Sequence, residues 1–324
     1  MNIVKPIFII GNGRSGSTIF HRLFAEHPEV AWLSSRLCNR FPQRPAVNRW
    51  LMRAIDQPLY GRFVRRRFQT GEGYAFWEYY CKGFREPCRD LLAQDVTAKV
   101  KRTVPRVFAQ LLTPKRHRLL LKITGWPRIG FLQTIFPDAR FIHIRRDPRA
   151  VVNSLLDIDW WAGWQGPQGW RAGELTPAQR ALWEQCDRSF VALAALEVQI
   201  LDAALVKAKQ AVPPAQFLEI DYEGFCLDPV GVMREVVDFC DLPWSTPFAA
   251  AICQHRVESS NYKWQEDLTP QQQAILHKVL AGQETLVNQP ASQEEAADVR
   301  SKGTLVADAS PVGRVGVTTE EARA

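Results

Sequence analysis

Short, unbroken apolar runs alternate along the chain with longer stretches of helical period. Residues 6–10, 119–123, 141–144 and 217–220 are apolar throughout or nearly so and read as buried strands. Residues 17–26 carry Ile19, Phe20, Leu23 and Phe24 on one side and read as a helix stopped by His27-Pro28. Further helices are predicted over 127–136, over 177–210 and 229–240, and over about 270–287. Another starts at Pro148 and continues through Val151, Val152, Leu155 and Leu156. Short strands separated by longer helices predict an α/β fold with a central parallel sheet flanked by helices. The stretch 28–118 is too long for a simple crossover, so it is predicted to be a helical excursion, broken near Pro42, Pro45 and Pro58, with a second helical piece over 74–92. One domain over residues 1–289 is expected. After it the chain turns small and polar, and 290–324 is expected to be a disordered tail.

Composition adds little to the fold and something to the chemistry. Hydrophobic residues make up 46% of the 324, enough for a substantial core. The formal net charge is +7, which suits an anionic ligand and nucleic acid equally. Nine arginines crowd residues 36–67 against the single acid Asp56. The seven cysteines lack CxxC spacing and read as reduced, and the six histidines show no ligand spacing, so no metal is expected. No run reaches the length of a membrane span, and the first residues enter a strand directly, so a cytoplasmic protein is expected.

The first candidate site is Gly11-Asn12-Gly13-Arg14-Ser15-Gly16-Ser17-Thr18, between the first strand and the first helix. Glycines let the backbone turn and aim successive N–H groups inward, and the helix start adds unpaired donors and a positive dipole end. Arg14, Ser15, Ser17 and Thr18 add side-chain donors, making a cradle for a phosphate-like anion. The spacing comes near G-x-x-x-x-G-K-[ST], but Ser17 stands where the lysine should be. Gly11, Gly13 and Gly16 also fit G-x-G-x-x-G, without the acid expected some 20 residues on.

The second candidate is Arg145-Arg146-Asp147-Pro148-Arg149 at a strand end, with Ser154 two turns along the next helix. An arginine and a serine so placed can hold one phosphate from two sides.

These residues are where a family resemblance enters. Residues 14–18 resemble the 5'-phosphosulfate loop of sulfotransferases that use PAPS (3'-phosphoadenosine-5'-phosphosulfate). Residues 146–154 resemble their 3'-phosphate motif, with Phe136-Pro137-Asp138-Ala139-Arg140 as the usual lead-in. The overall character is nearer the bacterial and tyrosylprotein-type members than the animal cytosolic ones. The resemblance implies a P-loop-like core, PAPS as donor and PAP as product. It implies that Arg14, Ser15, Gly16, Ser17 and Thr18 hold the 5' end, and that Arg146 and Ser154 hold the 3'-phosphate. Tyr222 lies in a tyrosine-glutamate segment of the family. Ser259, Ser260 and Lys263 match a loop that closes over the nucleotide, and Lys122 matches a lysine near the bridging oxygen.

One departure concerns the base. Tyrosylprotein-type members carry acids after the first helix, and here that stretch is Leu33-Ser34-Ser35-Arg36. Glu29, Glu78, His117 and Lys122 remain as bases, and Glu78 is the choice, with Lys122 and Arg14 as the cations of the reaction. The acceptor is open among a small molecule, a glycan, a lipid and a peptide. Trp160, Trp161, Trp164 and Trp170, on the loop 159–173, could stack on it or merely pack a lid. Three rival readings stand beside this one. They are a kinase or NTPase on a similar core, a nucleic-acid or polyanion module built on the arginines of 36–67, and a member that binds donor without turnover.

Overall fold

The structure is a computed structural model that describes residues 2–85, 89–166 and 170–287. In chain order the elements are β1 (Ile7–Gly11), α1 (Ser17–Phe24), β2 (Val30–Trp32), α2 (Ser35–Arg40), α3 (Pro45–Ile55), α4 (Gly61–Arg67), α5 (Tyr74–Tyr80) and α6 (Ala98–Ala109). Next come β3 (Arg118–Thr124), α7 (Ile129–Ile135), β4 (Arg140–Arg145), α8 (Pro148–Leu156), α9 (Pro177–Glu184) and α10 (Phe190–Lys209). The last are β5 (Phe217–Asp221), α11 (Tyr222–Leu227), α12 (Pro229–Phe239), α13 (Thr246–Cys253), α14 (Lys263–Asp267) and α15 (Pro270–Val287). Residues Met1–Gln283 form one compact unit. The expected tail at 290–324 lies outside the described residues.

The sheet is parallel, in the order β2-β3-β1-β4-β5. All residues of β1 are buried, as suits a central strand covered on both faces. Phe8 stacks on Phe141 across the β1–β4 pair, with ring centroids 5.7 Å apart. The register sets Ile9 beside Lys122 and Gly11 beside Thr124. The strand ends that carry both anion motifs and Lys122 therefore lie side by side at one edge of the sheet. Ligands of open α/β sheets bind at this carboxyl edge.

Three elements differ from expectation. β2 is an added edge strand of only three residues, too short for pattern to reveal. The helix expected over 177–210 is two. Asp187 and Arg188 adopt left-handed backbone (φ 51° and 54°), and Ser189 caps the second helix by accepting the Val191 N–H. Alanine content hid this break because propensity favours helix on both sides of it. The helix over 74–92 shrinks to α5, and residues 86–88 lie outside the described ones.

The excursion is tied to the sheet by Arg116, which is 2% exposed. Its guanidinium donates to the carbonyls of His27 and Val30 and to the Asp56 carboxylate just after α3. A buried arginine persists only when its donors are matched in this way.

Candidate active site

The glycine loop is built on steric limits. Gly11 sits at φ +142°, and a Cβ there would come within 2.8 Å of the Ile144 carbonyl. Gly16 sits at φ +84°, and its Cβ would fall 2.1 Å from the Tyr222 ring. Only glycine lets the loop lie this close to β4 and Tyr222. α1 opens at Gly16 with no side-chain cap and no acid in its first turn, so its first N–H groups are left for a ligand. The Ser15 hydroxyl is buried and has no hydrogen-bond partner among the described residues. A buried orphan donor in a ring of amides fits an anionic group of the kind PAPS carries. Among the described residues no cluster of His, Cys, Asp and Glu is arranged to hold a metal.

The second motif closes on the first. Arg14 donates from Nε to the Ser154 hydroxyl at 2.9 Å, and Arg146 donates to the Arg14 carbonyl at 2.9 Å. Arg146 also donates to Asn261 Oδ1 at 2.8 Å and to Ser260 Oγ at 3.1 Å. Its guanidinium lies 4.7 Å from the centre of the Tyr222 ring. Burial pulls the Arg146 pKa down from its usual value, and Tyr222 and Glu223 oppose that. Burial pushes the Tyr222 phenol up to about 12. Glu223 orders the segment by accepting from the Asp147 N–H and the Asn261 amide. Ser259 accepts the Asn261 N–H at 3.4 Å.

Arg14, Arg146, Ser154, Ser260 and Lys263 together line one cleft of about 1000 Å³. Residues more than a hundred positions apart converge because β1 and β4 are neighbours. Asn261, which accepts from Arg146 and lines a neighbouring pocket with Asn12, Ser15 and Arg146, carries no sequence signal that singles it out.

Lys122 lies on the other side of the loop. Its Nζ donates to Thr18 Oγ1 at 2.9 Å and pairs with Glu72 Oε1 at 2.8 Å, in a site where the lysine side chain is 8% exposed. Thr124 donates to the same Glu72 oxygen. Tyr74 donates to the Thr124 carbonyl, and burial, helped by the Glu72 charge, pushes its phenol well above the usual range. A cavity of about 480 Å³ opens here, lined by Asn12, Gly13, Glu72, Tyr74, Trp126 and Trp160 among others. Asn12 and Gly13 line this cavity while Arg14 lines the cleft, so the loop divides the two spaces.

The structure brings Glu72, not Glu78, to Lys122. Glu78 spends its two carboxylate oxygens on the backbone N–H groups of Gly83 and Arg85. Glu29 and His117 pair with each other just before β2 and β3, at the opposite edge of the sheet.

Glu72 is held by the stretch Leu33–Arg36, where an acid was missing. The Gly71 N–H donates to the Leu33 carbonyl and the Ser35 N–H to the Gln69 carbonyl. A Cβ on Gly71 would collide with Ser35 Oγ, and one on Gly73 with Leu33. A carboxylate between two glycines, Gly71-Glu72-Gly73, was the signal in the sequence.

The tryptophan loop divides its labour. Trp161 and Trp170 are buried, and Trp161 donates to the Glu197 carboxylate at 2.7 Å. Trp160 is 47% exposed, lines the cavity together with Gly13 and stacks with Arg171. Residues 167–169 of that loop lie outside the described ones.

A glycine loop at the carboxyl edge of a parallel sheet is thus hydrogen-bonded to a second strand–helix junction that carries Arg146 and Ser154. The chain belongs to the sulfotransferase family, whose family model matches residues 6–246. It is 26% identical over 305 residues to omega-hydroxy-beta-dihydromenaquinone-9 sulfotransferase Stf3 of Mycobacterium tuberculosis (strain CDC 1551 / Oshkosh), covering 84% of this chain and 72% of that protein. It is 23% identical to an uncharacterized protein of Aquifex aeolicus (strain VF5) over 74% of this chain, and spans about a quarter of that protein's length (26%). The fold matches the crystal structure of sulfotransferase STF9 from Mycobacterium avium with a TM-score of 0.52 at 18% identity, over 87% of this chain and 77% of that one.

Proposed function

We propose that the protein transfers a sulfonate group from PAPS to a hydroxyl on an apolar or aromatic acceptor, on a P-loop-like core. The observation that carries this reading is the placement of the glycine loop between two spaces, an arginine-lined cleft and a cavity lined by Glu72, the carboxylate that pairs with Lys122. In this reading Arg146, Ser154, Ser260 and Lys263 hold the 3'-phosphate end. Ser15, Gly16, Ser17 and Thr18 hold the phosphosulfate end, with Tyr222 filling the space beside Gly16.

In the transfer, the bond between sulfur and the bridging phosphate oxygen breaks as a bond from sulfur to the acceptor oxygen forms. The acceptor proton passes to Glu72, and the bridging oxygen leaves with the electron pair on PAP. Lys122 and Arg14 supply the positive charge that this developing anion requires, fixed in place before the reaction begins. Glu72 is a better base than Glu78 because its carboxylate lines the acceptor cavity. The acceptor class is supported by Tyr74, Trp126, Trp160 and Leu155 in the cavity wall and by the named acceptor of the mycobacterial relative.

The test is transfer of label from PAPS in a screen of lipophilic alcohols, phenols, glycans and acidic peptides, with calorimetry of PAP and ATP alongside. Labelled lipophilic product and PAP binding far tighter than ATP are expected. Equal affinity for PAP and ATP would overturn the donor, and product only from glycans or peptides would overturn the acceptor class.

A further inference from the structure

We propose that the surface formed by α3, α4 and the turn between them docks on an anionic lipid bilayer. The apolar part lies at and beside that turn. Leu59 is 97% exposed, Phe63 72% and Trp50 64%, and Tyr60 is also exposed. Single exposed apolar residues are ordinary, but here four large ones fall within fourteen positions of one helix pair. The buried face of the same pair, with Leu51, Met52 and Ile55, already packs on the core, so the outward residues are surplus to folding.

Charge surrounds the patch. Arg53, Arg62, Arg66 and Arg67 are exposed, and none of them has an ion pair among the described residues. Asp56, the one acid of the segment, is taken up by Arg116 and Lys115, and Arg65 is paired with Glu26. The exposed remainder is thus cationic. Arg53 stacks over Trp50, with 5.3 Å from its guanidinium to the ring centre. An amphipathic helix with arginines beside aromatic and aliphatic side chains lies in the headgroup region of a bilayer. There the guanidinium groups meet lipid phosphates and the apolar side chains enter the acyl boundary.

Nucleic acid would use the same arginines and could stack on Trp50, Tyr60 and Phe63. It offers nothing to Leu59, the most exposed large side chain of the patch, whereas a bilayer does. The arrangement also suits delivery of an apolar acceptor, because Glu72 follows Arg67 by five residues on the same stretch of chain. Docking itself requires neither PAPS nor turnover.

The experiment is flotation of the full chain with vesicles of phosphatidylcholine, alone or mixed with phosphatidylglycerol, at about 0.1 M salt. Binding to the mixed vesicles is expected, weaker by tenfold or more on phosphatidylcholine alone. Leu59→Ser with Phe63→Ser should lose about tenfold. Arg53→Ser with Arg62→Ser and Arg66→Ser should lose about a hundredfold, since each arginine near an anionic surface is worth roughly fivefold. These positions are exposed, so the melting transition and PAP affinity should hold. Should a variant fail to fold, quenching by brominated lipid in the unaltered protein, compared with Trp50→Phe, reads insertion directly. The proposal is overturned if the chain ignores anionic vesicles or if neither set of substitutions changes binding. It is also overturned if an oligonucleotide binds more tightly through the same arginines, or if the patch proves to hold a dimer that Leu59→Ser separates.

Discussion

The Arg14 side chain donates to the Ser154 hydroxyl at 2.9 Å across 140 positions of sequence. That bond joins the loop after β1 to the middle of α8 and brings the two motifs into one cleft. Ser154 is thereby shared between Arg14 and any phosphate that Arg146 attracts.

Arg146→Ala should therefore cost PAP much more than 5'-AMP. A hydrogen bond to a charged group is worth about 1.5–3 kcal/mol, so a loss of roughly ten- to a hundredfold is expected for PAP. Calorimetry with both nucleotides checks it. Equal losses would mean that Arg146 only braces Asn261, Ser260 and the Arg14 carbonyl.

Lys122→Ala should lower kcat by about 10²-fold or more, in the range seen on removing one positioned stabilising group. PAP affinity should change far less, because Lys122 faces Thr18 and Glu72 rather than the arginine cleft. Steady-state rates and PAP titration on the same variant decide it, and near-normal turnover would remove Lys122 from the chemistry.

Glu72→Gln and Glu78→Gln should separate base from brace. The first should lower kcat by about 10²–10⁴-fold with little loss of PAP binding, as expected for a lost general base. The second should leave kcat near normal and destabilise the fold by about 1 kcal/mol, since a carboxamide offers one acceptor where Glu78 uses two. The reverse pattern in rates and melting would restore Glu78.

Stability should fall as pH drops below about 6.5, the unperturbed histidine value. Burial lowers the pKa of both His21 and His27. His27 is held neutral by geometry, since its Nδ1 accepts the Glu29 N–H while Nε2 meets the Pro243 carbonyl. The unfolded chain takes up protons that these folded histidines refuse, so their contribution is complete above 6.5 and declines below it. Each gives a slope of at most about 1.4 kcal/mol per pH unit in that range. Denaturant melts of the protein and of His27→Gln between neutral and mildly acid pH should show the slope reduced in the variant.

The sequence by itself marked four of the five strands and most of the helices around them. Apolar runs marked β1, β3, β4 and β5, and the glycine loop and the Arg146–Ser154 stretch stood out as motifs, because strand burial and motif spacing are both local. It could not show which carboxylate the fold sets beside Lys122. The acid was sought at Leu33–Arg36, whereas the chain brings Glu72 there from beyond α4 by pairing residues 69–71 with residues 33–35. It also left Asn261 unnoticed and divided the tryptophan loop in no particular way. Each of these depends on contacts between segments far apart in sequence. Such contacts follow from strand order and loop packing, and no period in the sequence records either.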